Sequence, residues 1–305
     1  MTTQISNFNV NVGSYALITA AHNEEDHIEK TIISVVSQSV RPMKWVIVND
    51  RSNDRTEEII KKYQRENEFI LLLTVTGDSN RNFAAQVRAI NKGYDVVKQL
   101  DYDFIGNIDA DISFENNYFE HLLNVFKLNS HLGLTGGVIF EQYGGIFKPR
   151  KSNNPRSVPH AVQLFRRSCF ECVGGYKPFK YGGPDWYAEV MARMNGWEVQ
   201  TTQELPVFHH RPSLGAENVV RGSIRVGLMA YSFGSHPLFE FLKSIKLMQR
   251  KPYLLHGLLR LAAFLWATCS MRKREVSDDF MKYLRHEQSM RMRQSIRRSF
   301  LVCRK

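Results

Sequence analysis

Cysteine is scarce. Four residues in 305, Cys169, Cys172, Cys269 and Cys303, are too few and too unevenly spaced for a disulfide framework. The single Cys169-x-x-Cys172 lacks the second pair of a zinc ribbon, and it lies far from the start of the fold, where a thioredoxin-like site would need it. Two incidental, partly buried cysteines are expected. Long apolar runs are absent too. The most apolar stretch, Tyr253 to Cys269, has 17 residues, at the lower limit for crossing a bilayer, and His256 and Arg260 interrupt it. The first residues lack a basic segment followed by an apolar one. Together with the cysteine usage, this points to a reducing cytosol. No P-loop is found, and no glycine-rich phosphate loop follows the first apolar run, where His22-Asn23-Glu24 stands instead. That argues against a nucleotidyltransferase. Internal repeats and low-complexity tracts are missing as well.

Acid is the minority charge: 30 Asp and Glu against 41 Lys and Arg leave a net charge of +11. The excess is uneven. From Met271 to Lys305 there are eleven basic residues and four acids, so this tail carries +7 of the total. Such a tail suits a polyanion, or is a solvated helix. The apolar stretch just before it favours an interfacial or re-entrant helix with the tail on anionic lipid, against a plain buried helix or an oligomer interface.

What is present is an alternation of short apolar runs and amphipathic stretches. Tyr15 to Ala21, Trp45 to Asn49, Phe69 to Val75 and Phe104 to Ile108 read as buried strands. Between them, Ile28, Ile32, Val35 and Val36 recur at helical spacing, Ile59, Ile60 and Tyr63 follow possible caps at Ser52 or Asn53, and a helix is expected over Phe83 to Val97. Strands alternating with helices imply a largely parallel sheet, in which ligands sit at the carboxyl ends of the strands. Gly136 to Pro159, rich in Gly, Pro, Asn and basic residues, reads as a mobile loop. Ala161 to Arg166 reads as a strand, Asp185 to Met194 as a helix, and Val199 to Phe208 as a return to the sheet. After Arg211 the pattern is helical, with turns at Gly234 to Pro237 and at Lys251-Pro252.

The polar groups that matter lie just past strand ends. Asp109-Ala110-Asp111 follows a buried strand, and two carboxylates there suit a divalent cation, Mn²⁺ or Mg²⁺, held against a diphosphate. Unpaired carboxylates at a buried edge are costly, so a ligand or metal explains them naturally. Asn23-Glu24-Glu25 and Asn49-Asp50 supply donors and acceptors suited to a nucleobase and a ribose. Helix capping is the competing role for Asn23, with Glu24 and Glu25 suiting the helix dipole. It competes less for Asp50, because Ser52 and Asn53 already offer caps.

The segments ALITAAHNEEDHIEKTIISVVSQ, VIVNDRSNDRT and GNIDADISF, in that order, resemble the family 2 glycosyltransferases of inverting mechanism, over about residues 14 to 210. The resemblance implies an α/β fold of GT-A type: a Rossmann-like, mostly parallel sheet flanked by helices, here with a helical C-terminal extension. It implies a catalytic domain over 1–210; beyond it the residue pattern itself reads as a helical extension with the apolar helix over 211–270 and a basic helical tail over 271–305. It implies that Asn23, Glu24 and Asp50 bind the nucleoside, that Asp109 lies near the ribose and metal and Asp111 on the metal, and that Arg88 faces the donor's phosphates. GGYKPFKYGGPDWYAEVMARMNGW resembles the segment that carries the catalytic base, which matches Asp185; the family's usual preceding Glu is replaced by Pro184, and a helix cap is the alternative role for Asp185. PVFHHRP matches the position of a metal-ligating His, assigned to His209 ahead of His210 by alignment.

The implied reaction is direct displacement. Asp185 deprotonates an acceptor hydroxyl, which attacks the anomeric carbon opposite the diphosphate, and a divalent cation neutralises the leaving group. The donor is a UDP-, GDP- or dTDP-sugar, and the acceptor a lipid-linked glycan or surface polysaccharide. Processive synthases of the family carry Q-x-x-R-W and several membrane spans; here Gln249 is followed by Arg250-Lys251-Pro252, which favours transfer of one sugar. A nucleic-acid-binding protein would explain the tail but not the ordered acidic motifs, so no nucleic acid is expected. The alternative is a non-catalytic nucleotide-sugar or polyanion-binding protein on the same fold. The expected location is cytoplasmic, peripheral on the inner face of the membrane.

Overall fold

The computed structural model describes residues 13–76, 83–211, 219–249 and 253–302. The Lys251-Pro252 turn and the tail's Cys303, Arg304 and Lys305 lie outside the described residues. Two compact units form. The first takes most of the chain before Gly175 together with Gly196–Arg211; the second takes Tyr176–Asn195, the chain after Arg211, and the short stretch up to Val87 that opens one helix.

The first unit is a nine-stranded sheet with helices along the chain between its strands. In order it contains β1 (Tyr15–Ala21), α1 (Ile28–Val36), β2 (Lys44–Asp50), α2 (Thr56–Glu66), β3 (Ile70–Val75), α3 (Phe83–Val97), β4 (Phe104–Ile108), β5 (Ile112–Phe114), α4 (Tyr118–Leu128), β6 (Leu132–Tyr143), β7 (Ile146–Pro149), β8 (Val162–Arg166), α5 (Arg167–Val173) and, after an excursion into the second unit, β9 (Glu198–His209). The order across the sheet is β3-β2-β1-β4-β8-β6-β9-β5, with β7 on β6. Strands β3, β2, β1 and β4 run parallel. Beyond them the sheet is mixed: β8 lies antiparallel to β4 and β6, β6 and β9 are parallel, and β5 is antiparallel to β9.

Parallel strands covered on both faces need continuous apolar runs. Strands β1 and β2 supply them, with Trp45 to Val48 wholly buried and Trp45 Nε1 donating to Thr19 Oγ1 at 3.0 Å. From β1 the chain steps one way to β2 and β3, and later returns to lay β4 on the other flank of β1. The carboxyl ends of β1 and β4 therefore border a topological switch point, where open α/β sheets bind ligands.

Gly136 to Pro159 departs from the expected mobile loop. Its first residues complete β6, and Ile146–Pro149 pairs back on it as β7. The glycines that read as turns are packing residues: a Cβ on Gly136 would stand 2.2 Å from Val162 O, and one on Gly137 2.4 Å from Leu205 O. The actual turn is Gly144-Gly145, both with positive φ.

The second unit is helical: α6 (Pro184–Met194), α7 (Val219–Ser232), α8 (Pro237–Met248), α9 (Leu255–Cys269) and α10 (Asp278–Val302). Its core joins Phe179, Tyr187, Val190, Phe233, Phe280 and Leu284. The start of the basic tail is thus part of a core. Farther along α10, Gln288 Oε1 accepts from His236 N at 2.7 Å, and Arg285 Nε donates to Gly234 O at 2.8 Å.

The apolar segment is not an isolated interfacial helix. One side of α9 packs within the unit, at close range where a Cβ on Gly227 would meet Arg260 O and one on Gly257 would meet Ser244 O, both at 2.3 Å. Arg260, which interrupts the run, is buried and bonds Glu240 of α8 through Nε (3.0 Å) and Nη2 (2.5 Å). Among the described residues no helix is long and apolar enough to cross a membrane. Cys169 is buried and Cys172 and Cys269 exposed, all free; burial pushes the Cys169 thiol up to about 12.

Candidate active site

The loops after β1 and β2 are stitched together by short polar side chains. Asn23 adopts φ 53°, a left-handed conformation that Asn tolerates better than most residues. Its backbone N–H donates to Ser52 Oγ at 3.0 Å, and its Oδ1 accepts from Asn53 N at 2.9 Å. Glu24 N donates to Thr56 Oγ1 (2.7 Å), and His22 Nδ1 lies 2.6 Å from Asp50 O. Asn23 does not cap α1, whose cap position is His27. Ser52 and Asn53 do not cap α2 either: Asp54 serves that turn, accepting from Thr56 N (3.0 Å) and Glu25 N (3.1 Å). The Asp50 carboxylate is engaged by its neighbour Arg51, through Nη2 at 2.7 Å and Nε at 2.9 Å.

The Asp109-Ala110-Asp111 turn is fixed from behind. Thr31 of α1 puts its hydroxyl 2.9 Å from Ala110 O and 2.7 Å from Ile112 O, and accepts from Ile112 N at 3.2 Å. Asp109 N donates to Ala161 O (3.0 Å), and its carboxylate lies 3.5 Å from His160 Nδ1. Strand β5 leaves this turn antiparallel to β9, with Ile112 opposite His209. Two ligand-type groups meet as a result: Asp111 Oδ1 is 3.1 Å from His209 Nε2. The adjacent His210 turns elsewhere, its Nε2 2.9 Å from Ser113 Oγ. Arg211 closes the group, its Nη2 2.5 Å from Glu24 Oε2 and its Nε 3.7 Å from Asp111 Oδ2.

The electrostatics show crowded negative charge. Burial, then the charge of Asp111, raise Glu24 to about 7, with Asp109 adding to the rise and Arg211 opposing it. Asp109 goes the other way: burial disfavours its charge, but the His160 hydrogen bond and the positive groups around it win and hold it below the usual carboxylate range. Burial would lower His209, yet the Asp111 hydrogen bond and the charges of Asp111, Asp109 and Glu141 raise it. His210 is lowered, by burial first and then by Lys30 and His27.

The donor set suits a hard or borderline divalent cation, with a carboxylate oxygen and an imidazole nitrogen side by side. Among the described residues no three His, Cys, Asp or Glu groups converge to hold an ion by themselves. Asp111 and His209 would therefore need oxygens from a bound diphosphate, as Mg²⁺-type sites commonly do. Arg211 supplies the positive charge between Glu24 and Asp111 in the meantime.

The structure thus brings Glu24, Asp109, Asp111 and His209 to one edge of the sheet, beside the Asn23 and Asp50 loops. Arg88 lies on the exposed side of α3. Asp185 belongs to the second unit, half-buried in the first turn of α6 behind Gly183 (φ 87°) and Pro184. Gly183 holds the cap position and no side chain caps this helix, so Asp185 is not its cap. Three participants escaped the sequence. Thr31 reads as an ordinary helix residue, and His160 sits in an aperiodic stretch. Arg211 did carry a signal, following the two histidines at the end of a strand on the same edge.

Residues 16–182 match the family profile described as Glycosyl transferase family 2. A poly-beta-1,6-N-acetyl-D-glucosamine synthase of Staphylococcus aureus (strain MSSA476) is 33% identical over 120 residues, which are 39% of this chain and 27% of that protein. The synthase of the same name from Staphylococcus epidermidis is 29% identical over 126 residues, 41% of this chain and 28% of that protein. The match therefore spans little more than a quarter of these relatives' length. Among solved structures, a mannosyltransferase, PcManGT, from Pyrobaculum calidifontis in complex with GDP-Man and Mn²⁺ superposes with a TM-score of 0.54 at 15% identity, over 92% of this chain and 81% of that one. TarS 1-349 of S. aureus in complex with UDP-GlcNAc gives 0.52 at 14%, over 89% and 78%. Identities this low speak for the fold, which is that of the GT-A enzymes. With the family profile covering more than half its length, the chain belongs to glycosyl transferase family 2.

Proposed function

We propose that this glycosyltransferase moves one sugar from a nucleoside-diphosphate sugar to a hydroxyl of a lipid-linked or polysaccharide acceptor, with inversion at the anomeric carbon. The observation that carries the reading is the Asp111–His209 pair, 3.1 Å apart at the carboxyl edge of the sheet, with Glu24 raised to about 7 by burial and by its acidic neighbours. Crowded carboxylates of this kind call for a positively charged ligand complex.

In this reading Asn23, Glu24 and Asp50 receive the nucleoside, Asp109 lies by the ribose, and Arg88 meets the phosphates. Asp111 and His209 would hold a divalent cation, which supplies neutralisation of charge on the leaving diphosphate. Thr31 keeps the turn bearing Asp111 in register with His209. Asp185 takes the proton from the acceptor hydroxyl. The hydroxyl oxygen bonds to the anomeric carbon as the bond from that carbon to the diphosphate oxygen breaks, and the electron pair leaves with the nucleoside diphosphate. Two neighbours of the same fold are named as complexes with GDP-Man and UDP-GlcNAc, which supports a nucleotide-sugar donor without selecting the base.

The reading includes attachment to the cytoplasmic face of a membrane through the second unit. Leu238, Phe241, Leu242 and Ile245 recur on α8 at helical spacing and are each 40% or more exposed; α9 leaves Leu258, Leu265 and Trp266 at least 50% exposed.

The test is release of nucleoside diphosphate from a panel of UDP-, GDP- and dTDP-sugars, with and without Mn²⁺. Metal-dependent release from one donor, reduced about a hundredfold or more in Asp111→Asn, is expected. No release and no metal-dependent nucleotide binding would refute the reading. Asp185→Asn separates transferase from the alternative of a binding protein: it should bind donor as the parent does while transfer to acceptor is lost.

A further inference from the structure

The second unit contains an open cavity of about 910 Å³ at a distance in sequence from every donor-binding motif. Five of its lining residues are cations, Lys177, Lys180, Arg272, Lys273 and Arg274, against one acid, Glu275. Among the described residues none of the five makes an ion pair with a carboxylate. The Glu275 carboxylate is turned to the backbone, accepting from Lys180 N at 3.1 Å.

Four of the cations are held by neutral partners. The Arg272 guanidinium lies 4.0 Å from the Trp266 ring centroid and donates to Tyr181 Oη at 3.1 Å. Arg274 lies 5.4 Å over Tyr231, and Lys180 5.6 Å over Tyr181. Lys177 Nζ donates to Tyr187 Oη at 2.8 Å. Aromatic faces and phenol oxygens position a cation without cancelling its charge. Five like charges around one opening, with Glu275 alone to offset them, therefore leave a concentrated positive potential. A single carboxylate would answer one or two of them. A phosphoryl or diphosphate group, with several charged oxygens, can answer most.

Two further features connect this cavity to an acceptor. Its wall segment Lys177 to Tyr181 runs through Gly182 and Gly183, φ 81° and 87°, directly into Pro184 and Asp185, the proposed base. Arg225 Nη1 pins the segment at Tyr181 O (3.1 Å). On the other side the cationic wall borders exposed apolar surface, since Trp266 beneath Arg272 is 53% exposed and Leu265 50%. We propose that the cavity binds a phosphoryl or diphosphate group of the acceptor. The word acceptor rests on the transferase reading; the anion site itself does not.

The experiment is calorimetric titration of the full chain, in EDTA, with inorganic diphosphate and with farnesyl diphosphate. Both should bind, with affinity falling steeply as salt rises. Lys180→Gln with Lys273→Gln removes two exposed lysines from the rim and should weaken both ligands about tenfold or more, whereas Lys61→Gln with Lys127→Gln, equal in charge and remote in sequence, should not. Tighter binding of the farnesyl ester identifies a lipid-borne diphosphate; equal binding identifies the head group alone, as on a polymer or free anion. Dissociation constants above about 1 mM for both ligands, or undiminished binding in the Lys180/Lys273 variant, would overturn the proposal. Nucleoside diphosphate titrated into the Lys180/Lys273 variant with and without Mn²⁺ reads the first unit through the metal-dependent increment alone, so absence of that increment would sink the transferase reading and leave the anion site standing.

Discussion

Glu240→Ala should unfold the second unit far more readily than its position near the surface of the sequence pattern suggests. Glu240 and Arg260 retain 2% and 7% of their side-chain exposure, and two donors of Arg260 converge on one Glu240 oxygen. The surface figure of about 0–1 kcal/mol for an ion pair does not apply to such a pair. Removing one partner strands a charge in a closely packed place, next to the backbone approaches at Gly227 and Gly257, and costs about 3–5 kcal/mol. For a helical unit of this size that lowers the melting temperature by more than about 10 °C. Glu240→Leu with Arg260→Met removes both charges and should recover most of the loss. Thermal melts of parent, Glu240→Leu, Arg260→Met and the double variant form the cycle. A single-variant cost below about 1 kcal/mol, or a double variant worse than either single, would refute the burial argument and with it the account of why an arginine interrupts the apolar segment.

Asp54→Ala should lower stability by about 1 kcal/mol or more at neutral pH, the usual worth of hydrogen bonds such as those its carboxylate accepts from Thr56 N and Glu25 N. Burial opposes the charge on Asp54, but hydrogen bonds from Thr56 and Glu25 outweigh it and hold its carboxyl below the ordinary value. A depressed folded value means that this stabilisation is present above the unfolded value near 3.9 and disappears as pH falls through the folded one. Melts of parent and variant should therefore differ at pH 7 and converge in acid; a constant difference would contradict the assignment. On the membrane side, Leu258→Glu with Leu265→Glu should reduce co-sedimentation with phosphatidylglycerol vesicles by at least about tenfold, given about 1.5–3 kcal/mol per buried leucine. Unchanged sedimentation would remove α9 from the proposed membrane face.

How much could be read in advance depended on whether the signal was local. The bounds of β1, α3 and β4 follow from uninterrupted apolar runs and a clean helical period, and the three polar clusters could be located because strand ends are visible. Strand β6 was hidden because glycine has two uses. At Gly136 and Gly137 it permits backbone approach rather than a turn, and only the partner strand reveals that. The Glu240–Arg260 pair spans 20 residues and two helices, so the arginine alone read as a defect in an apolar run. Likewise Phe179 and Tyr187 join Phe280 and Leu284 in one core, and nothing near Tyr176 announces partners about a hundred residues away.

The same distinction explains the active-site edge. Each acidic motif was legible because it ends a strand, but their mutual effect was not, since it arises from strand order. Laying β4 beside β1 puts Glu24 within the field of Asp109 and Asp111, and that field helps raise Glu24 to about 7. The cost falls on Glu24, which burial and then the charges of Asp111 and Asp109 hold above the usual carboxylate range. Arg211, two residues past the end of β9, meets that charge by bonding Glu24 and approaching Asp111.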